Sequence, residues 1–257
     1  MSKTRIIMHG CNGAMGQVIS RLAAEDDSVQ IVAGLDIADQ GRYDYPVYVD
    51  PANCRVEADV IVDFSVAAAA DGLMDFARAR RLPLVLCTTG LSDAQLEKVH
   101  ALSKELPVLR SANMSLGVNT LFKLVAQAAS ILAKAGYDME IVEKHHNKKL
   151  DAPSGTALAI ADAINEAMDH AYHYKLDRSA QRARRDPKEI GIQAVRGGTI
   201  VGEHEIFFCG EDEVVEIKHT AYSKAIFGKG AIAAAHFLKD QKPGLYSMAD
   251  VIGGADQ

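Results

Sequence analysis

Two histidines and three lysines lie within one six-residue segment, which could supply both protons and positive charge. They are Lys144, His145, His146, Lys148 and Lys149. Histidine exchanges protons near neutral pH, and the lysine ammonium is a compact positive charge. The segment therefore suits a small substrate that carries carboxylates and needs a proton. A solvated surface cluster without a catalytic role is the alternative that these residue types leave open.

The residues that follow predict the start of a helix. Pro153, Ser154, Gly155 and Thr156 are favoured at helix N-termini, and an apolar-periodic run continues from 157 to 168. A helix N-terminus presents backbone N–H groups and a positive dipole, which together favour an anion. This helix start therefore predicts a carboxylate-binding site next to the histidine–lysine segment.

A second glycine-rich segment lies near the beginning of the chain. A predicted strand (5–9), a glycine loop (10–16), a helical run (17–24) and a second strand ending at Asp36 follow in order. This order is typical of dinucleotide-binding βαβ units, in which glycines admit the pyrophosphate and an acid binds the ribose. The candidate cofactor-binding residues of the loop are Gly10, Cys11, Asn12, Gly13, Ala14, Met15 and Gly16. A glycine-rich turn without a ligand is the alternative.

The residues around Asp36 favour NADH or dual cofactor use. The Asp36–Asp39 segment has no adjacent Arg or Lys, and a carboxylate would repel a 2′-phosphate. NADH should therefore be at least as good a cofactor as NADPH. Arg42 qualifies this prediction, since a loop could bring its cation beside Asp36, where it would favour a 2′-phosphate.

Strands and helices alternate through the first 115 residues, which predicts a Rossmann-type, doubly wound parallel sheet in an α/β protein. Ligands of such sheets lie beyond the carboxyl ends of the strands. Two polar segments follow predicted strands and should contact the nicotinamide half of the cofactor. They comprise Thr88, Thr89 and Gly90 in the first, and Ala112, Asn113, Met114 and Ser115 in the second.

The pattern changes after a long predicted helix over 117–135. A strand, a helix, a polar loop from His170 to Glu189 and three alternating strands predict an inserted α+β domain built on an open mixed sheet. The predicted domains are 1–115 plus 225–257 for the dinucleotide, and 116–224 for the substrate and oligomerisation. A hinge is expected near 113–117. The sheet face without helices should be buried against another subunit.

Composition excludes several classes of function. The 257 residues carry a net charge of −6, so no global basic field exists for nucleic acid. The four cysteines are scattered without a CxxC pair, which predicts no metal site. The apolar run Ile6–Met8 is too short for a signal-peptide core, and we expect no run of membrane-span length. These features predict a cytoplasmic protein without a membrane partner.

Six motifs make the chain similar to the dihydrodipicolinate (4-hydroxy-tetrahydrodipicolinate) reductase family. The most specific motif is Glu143-x-His-His-x-x-Lys-x-Asp-Ala-Pro-Ser-Gly-Thr-Ala157. The others are Gly10-x-x-Gly-x-Met-Gly16, Val62-Asp-Phe-Ser65, Thr88-Thr-Gly90, Ala112-Asn-Met-Ser-x-Gly-Val-Asn119 and Arg196-Gly-Gly-x-Ile-Val-Gly-Glu-His204. The resemblance spans nearly the whole chain.

The resemblance implies NAD(P)H-dependent reduction of 4-hydroxy-tetrahydrodipicolinate to tetrahydrodipicolinate in the diaminopimelate branch of lysine biosynthesis. It implies that His145 is the general acid/base and Lys149 the proton donor. It implies that His146, Gly155 and Thr156 hold the substrate's carboxylates, and that the enzyme is a homotetramer. The glycine loop, Asp36 and the two polar segments match cofactor contacts. Lys224 stands where the family pattern leads us to expect Arg.

Two other functions stay open on the residues alone. One is a two-domain dehydrogenase acting on a different small acid, because a helix start does not specify which carboxylate it binds. The other is a non-catalytic dinucleotide sensor, in which the histidine–lysine segment would tolerate substitution. A sensor would not need a proton donor beside an anion site.

Overall fold

The computed structural model describes residues 3–111, 113–180 and 182–253. The chain forms two compact units: one runs to Leu116 and resumes at Lys224, and the other is Gly117–Ser223. The strands are β1 Thr4–His9, β2 Val29–Leu35, β3 Val47–Tyr48, β4 Val60–Asp63, β5 Leu84–Leu86, β6 Pro107–Arg110, β7 Asp138–His145, β8 His173–Lys175, β9 Glu189–Arg196, β10 Gly202–Cys209, β11 Val214–Ala221 and β12 Gly244–Tyr246. The helices are α1 Ala14–Ala24, α2 Ala67–Arg80, α3 Asp93–Ser103, α4 Leu116–Leu132, α5 Gly155–Glu166, α6 Ala225–Leu238 and α7 Met248–Gly253.

The first unit contains a seven-stranded parallel sheet in the order β12-β6-β5-β4-β1-β2-β3. Its strands read as nearly continuous apolar runs because both faces are covered. One core lies between the sheet and the pair α1 and α6, and includes Ile19 and Ala231. The other core lies against α2 and α3, and includes Leu73 and Leu102. This is the doubly wound arrangement that the sequence predicted.

The strand order reverses between β1 and β4, which are adjacent although β2 and β3 separate them in the chain. In doubly wound sheets the ligand crevice opens beyond the carboxyl ends of the strands at this position. His9 and Asp63 end β1 and β4 and are register partners. The glycine loop begins immediately after His9.

The second unit contains a five-stranded mixed sheet in the order β11-β10-β7-β9-β8. β7, β9 and β8 run parallel, whereas β10 and β11 are antiparallel to their neighbours. Apolar residues of α4 and α5, such as Val125 and Ile160, form one core with Ile141, Ile192 and Ile206 of the sheet. The predicted open mixed sheet in an α+β unit is therefore confirmed.

Ion pairs lie on the opposite face of this sheet. Register partners in antiparallel strands share a face, and Glu205 is the partner of both Val142 and Lys218. The Lys144 and Lys218 ammonium groups lie 2.7 and 2.6 Å from Oε1 of Glu205. This face is charged, whereas the face under α4 and α5 is apolar.

Three short strands escaped sequence-based prediction. β3, β8 and β12 have two or three residues each, too few for a periodic pattern to appear. β8 interrupts the predicted loop 170–189, and β12 adds the chain's tail to the first sheet beside β6. α5 begins at Gly155, two residues before the apolar run 157–168 that predicted it.

The expectation that no run reaches membrane-span length is wrong for one helix. Leu116–Ala135, which is α4 with its following turn, is long and apolar enough by length and composition alone. Leu121, Val125 and Ala129 of this helix are buried against the mixed sheet. A core helix passes the same test, so this one helix is weak evidence for a membrane span.

Candidate active site

The glycine loop packs so closely that two of its glycines leave no room for a side chain. Gly10 has a φ of 76°, and a Cβ atom there would lie 2.7 Å from the carbonyl oxygen of Phe64. A Cβ at Gly16 would overlap the Gly10 carbonyl oxygen and lie 2.6 Å from Cα of Cys11. Gly13 precedes α1 and supplies no side-chain cap, so the first helical N–H groups can face a ligand. These features fit a dinucleotide pyrophosphate.

Asp36 lies at the rim of a cavity of about 440 Å³ beside the glycine loop. Its Oδ2 accepts a 2.8 Å hydrogen bond from the backbone N–H of Asn12, and its Oδ1 accepts one from the N–H of Ile37. Ile37, Val49 and Val66 line the same cavity and are exposed, which gives it an apolar rim. Among its described lining residues there is no Lys or Arg.

Arg42 lies elsewhere, at a second cavity of about 390 Å³. The neighbouring Tyr43 stacks on Tyr45 with ring centroids 4.6 Å apart. The Tyr43 hydroxyl donates to the carbonyl oxygen of Cys11 at 2.6 Å, and the Tyr45 hydroxyl lies 2.8 Å from Oγ of Ser20. The segment after β2 therefore contacts the glycine loop through Tyr43 and helix α1 through Tyr45. Arg42 does not line the cavity of Asp36.

A buried polar network connects the ends of three parallel strands. Asp63 is completely buried, and its carboxylate lies 2.7 Å from Nδ1 of His9 and accepts a 2.6 Å hydrogen bond from Thr88 Oγ1. The N–H of Ser65 also donates to it. Burial would raise the pKa of Asp63, but the hydrogen bonds from His9, Ser65 and Thr88 outweigh it and lower that pKa. The network connects the glycine loop with the loop after β5.

The two polar segments predicted to contact the nicotinamide differ in what they expose. Thr88 is buried and bonded to Asp63, whereas Thr89 and Gly90 are exposed, the latter with a φ of 73°. The Met114 side chain belongs to the core, so contact with a cofactor would involve its backbone. The N–H of the buried Ser115 donates to Oδ1 of Asn113 at 2.9 Å. Ala112 lies outside the described residues.

In the second unit, the buried carboxylate of Glu143 contacts three other residues. It lies on β7 beneath the histidine–lysine segment, and its Oε2 is 2.6 Å from Nδ1 of His145. Arg196 on β9 donates to both carboxylate oxygens at 2.8 and 2.6 Å. The N–H of Ser154 donates to Oε1 at 3.0 Å. Burial would raise the pKa of Glu143, but the hydrogen bonds from Arg196, His145 and Ser154 outweigh it and lower that pKa.

His145 lies beside a second histidine, His204 on β10. The two rings meet edge to face with centroids 5.3 Å apart. Burial, and then the nearby imidazole of His145, lower the pKa of His204 to about 4, so its ring is neutral at physiological pH. His219 and Lys149 act on His204 in the same direction. His145, His219 and Lys149 therefore surround one buried, neutral imidazole.

Ser154 caps α5 with its side chain. Its Oγ accepts from the N–H of Ala157 at 3.2 Å and lies 3.2 Å from Nε2 of His204. Because the hydroxyl is already used as a cap, Ser154 contributes to the predicted anion site by shaping the helix start. The helix begins at Gly155, as a carboxylate-binding N-terminus requires.

Lys149 forms an ion pair in the same loop. Its Nζ lies 2.8 Å from Oδ1 of Asp151. The hydrogen bond from Lys149, together with a smaller contribution from the N–H of Gly155, lowers the pKa of the Asp151 carboxyl. A carboxylate of this chain therefore lies between the predicted proton donor and the helix start. Nδ1 of His146 is buried and has no hydrogen-bond partner among the described residues.

Several residues of these networks were not predicted as site residues: His9, Asp63, Ser65, Glu143, Arg196 and His204. His9 and Asp63 each end a buried strand, which is the signal that could have identified them. Glu143 and Arg196 lie within motifs but carried no assigned role. Within the ranges that the structure describes, no group of three or more His, Cys, Asp or Glu could hold a metal ion.

Comparison with protein families identifies the chain over both units. The model for the N-terminus of dihydrodipicolinate reductase matches residues 4–114, and the model for its C-terminus matches 117–252. The chain belongs to the dihydrodipicolinate reductase family. The family is one of NAD(P)H-dependent oxidoreductases, so the predicted enzyme class is confirmed.

Individual relatives agree with the family assignment. The 4-hydroxy-tetrahydrodipicolinate reductase of Caldanaerobacter subterraneus subsp. tengcongensis is 52% identical over 96% of this chain and 98% of its own length. That of Clostridium novyi is 43% identical over 97% and 98%. A solved dipicolinate-bound dihydrodipicolinate reductase from Paenisporosarcina sp. TG-14 is 25% identical, with a TM-score of 0.81 over 95% of this chain and 97% of that one. These matches support the predicted reaction over the two alternatives.

Proposed function

We propose that this reductase converts 4-hydroxy-tetrahydrodipicolinate to tetrahydrodipicolinate with NADH or NADPH as reductant. The conversion replaces the 4-hydroxyl group by hydrogen, so one hydride and one proton enter and one water leaves. The nicotinamide supplies the hydride when the cofactor is bound. The dipicolinate bound to the Paenisporosarcina relative supports a cyclic dicarboxylate as substrate.

The arrangement of one loop carries this proposal. A segment of about a dozen residues contains His145, Lys149 and the start of α5. Glu143, paired with Arg196, contacts this segment at His145 and Ser154. A helix N-terminus and nearby cations suit a dianion. The Lys149 ammonium is now paired with Asp151, and a substrate carboxylate could replace Asp151 as its partner.

The proton comes from this loop in our proposal, with Lys149 as donor and His145 as general acid/base. Both groups carry an exchangeable proton, and His145 has a carboxylate partner on Nδ1, as a proton-exchanging histidine often has. His146, Gly155 and Thr156 hold the substrate's carboxylates. The buried Nδ1 of His146, without a described partner, supports its part in this role.

We propose that NADH serves at least as well as NADPH. The glycine loop, Asp36, Thr88 to Gly90 and Asn113 to Ser115 would hold the cofactor. The Asp36 carboxylate is fixed at the cavity rim by two backbone N–H groups, so it is placed to accept from ribose hydroxyls and to repel a 2′-phosphate. Arg42 lines a different cavity, and the described lining of the cavity beside Asp36 contains no Arg or Lys.

A homotetramer in the cytoplasm completes the proposal. The described part of the mixed sheet packs α4 and α5 on one face, and the other carries the Lys144, Glu205 and Lys218 ion pairs. A second copy of the chain could cover that face. Light scattering coupled to size exclusion should give four times the chain mass of 27.7 kDa.

A coupled assay tests the proposed reaction. Dihydrodipicolinate synthase would generate the unstable substrate from pyruvate and aspartate semialdehyde, and absorbance would follow NADH and NADPH separately. We expect rapid substrate-dependent oxidation of both, with NADH at least equal in kcat/KM. No oxidation by folded protein that binds NADH would overturn the proposed reaction and leave the dinucleotide-binding fold intact.

A further inference from the structure

The Glu143 carboxylate contacts several parts of the proposed site at once. It is completely buried on β7, and both of its oxygens are bonded. Oε1 accepts from Arg196 Nη2 and the Ser154 N–H, while Oε2 accepts from Arg196 Nη1 and contacts Nδ1 of His145. A buried carboxylate with an ion-pair partner is retained in its charged form.

An ionised carboxylate can only accept hydrogen bonds, so the proton in the 2.6 Å contact belongs to Nδ1 of His145. Nε2 is therefore the ring atom whose protonation can change. Gly202 lies on that side of the ring, and a Cβ atom there would be 3.0 Å from Nε2. The glycine leaves space at the atom that Glu143 makes available.

The same carboxylate also fixes the start of α5. It accepts from the N–H of Ser154, the cap residue, and its partner Arg196 donates to the carbonyl oxygen of Asp151 at 2.6 Å. The acid/base group and the anion-binding helix start are thus held by one Glu–Arg pair on neighbouring strands.

We propose that Glu143 is a positioning residue of the reduction. It holds His145 as the Nδ1-protonated tautomer, with Nε2 directed to the substrate, and it also holds the start of α5 in place. This inference rests on the proposed function, because it acts through His145. A Glu–Arg pair serving the fold alone would have no need to contact the imidazole. Removing one partner of a buried pair is nonetheless costly, so the tests must separate positioning from stability.

The charged groups around His145 determine how its ionisation should respond. Glu143 is the carboxylate in contact with the ring, and Arg196 lies behind it. His204 packs against the ring, and His219 and Lys149 act on His204 together with His145. The Asp151 carboxylate forms an ion pair with Lys149. Loss of the Glu143 charge would therefore leave an excess of positive charge near the ring and disfavour its protonated form.

The first test is Glu143→Gln in the full-length enzyme. We expect kcat to fall about 10- to 100-fold, as when a partner that orients a functional histidine is removed. The limb of the kcat/KM profile that reports the imidazole should move to lower pH, while the Kd for NADH stays within about twofold of wild type. Glu166→Gln, at an exposed position on α5, makes the same chemical change and should leave all three quantities unchanged.

Gly202→Ala provides a variant that keeps the carboxylate. Its methyl group would crowd Nε2, so kcat/KM should fall while the pH profile keeps its position. Wild-type activity in Gly202→Ala would overturn the assignment of Nε2 as the reacting atom. An unshifted pH profile in folded Glu143→Gln would reduce Glu143 to a structural residue and overturn the proposal.

A measurement that needs no activity keeps the inference separate from the proposed reaction. Imidazole ¹⁵N NMR of the wild-type enzyme, assigned with His145→Gln, should show a protonated Nδ1 and an unprotonated Nε2 at alkaline pH. The opposite tautomer would overturn the proposal even if Glu143→Gln fails to fold. Inactivity of the wild-type enzyme in the coupled assay would instead overturn the proposed function.

Discussion

Nδ1 of His9 lies 2.7 Å from the carboxylate of Asp63, and the contact joins the carboxyl ends of two neighbouring parallel strands, β1 and β4. Thr88 donates to the other carboxylate oxygen from the end of β5. We expect Asp63→Asn to lower the free energy of unfolding by about 3 kcal/mol, because it removes a buried charge with three donors. The Kd for NADH should rise as well, since the glycine loop follows His9 directly.

Denaturant unfolding and calorimetric titration with NADH would measure both effects. Asp71→Asn is the matched control, because Asp71 is a half-buried acid on the surface of α2 that pairs with Lys98 and accepts from Gln95. Its replacement should change neither quantity appreciably. Equal effects of the two substitutions would show that the buried network has no special importance.

Gly16 is predicted to be irreplaceable in the glycine loop. In Gly16→Ala the new methyl group would overlap the Gly10 carbonyl oxygen and crowd Cys11, so backbone must shift. We expect a loss of about 1–3 kcal/mol in unfolding free energy and weaker NADH binding. Gly72→Ala on α2 meets no atom within 4 Å and should instead stabilise the protein slightly, because alanine favours the helix. Full stability of Gly16→Ala would contradict the close packing described for this loop.

Asp36 should determine the balance between the two cofactors. Asp36→Asn keeps an acceptor for the Asn12 N–H but removes the charge that repels a 2′-phosphate. The ratio of kcat/KM for NADPH to that for NADH should rise about tenfold, which corresponds to about 1.4 kcal/mol. Asp39→Asn, whose carboxylate accepts from the Gly41 N–H in the same loop, should leave the ratio unchanged. An unchanged ratio in Asp36→Asn would contradict the proposal that the Asp36 carboxylate disfavours NADPH.

Lys149→Ala should separate catalysis from cofactor binding. Loss of the proposed proton donor should lower kcat by about 100-fold or more, with the Kd for NADH nearly unchanged. Lys148→Ala removes an exposed neighbouring lysine and should retain wild-type kcat. An unchanged kcat in Lys149→Ala would rule the residue out as proton donor.

His204 should make the protein less stable in mild acid. Its pKa is about 4 in the folded state and 6.5 in the unfolded chain, so the unfolded chain binds more protons between these values. Lowering the pH from 7 to 5 should therefore cost about 2 kcal/mol of unfolding free energy through this residue. His204→Gln should reduce that slope, whereas His100→Gln, at an exposed position on α3, should not. Identical slopes in wild type and His204→Gln would contradict a buried neutral imidazole.

The parts of the site that were predicted from sequence are local. The glycine loop with Asp36, and the histidine–lysine segment with the start of α5, each lie within one short stretch, so residue type and spacing are informative. The assigned roles of His145, Lys149 and the cofactor residues stay predictions. The doubly wound sheet was also predictable, because apolar runs and helical periods alternate along the chain.

The networks beneath the site could not be predicted because they depend on strand pairing. His9 and Asp63 are 54 residues apart in sequence, and Glu143 and Arg196 are 53 apart. Each pair meets only because two strands are adjacent in a sheet. The loop 170–189 likewise had no evident purpose in the sequence, yet its Arg185 binds Glu140 of β7.

The hydrogen bond from the Tyr43 hydroxyl to the Cys11 carbonyl oxygen has a practical consequence for protein engineering. A common way to change cofactor use is to exchange the whole segment after the second strand for that of a relative. Here such an exchange would remove Asp36 and, with it, Tyr43, whose hydroxyl holds the glycine loop. A graft confined to residues 36–41 keeps Tyr43 and Tyr45 in place, whereas a longer graft must bring its own pair of aromatic rings.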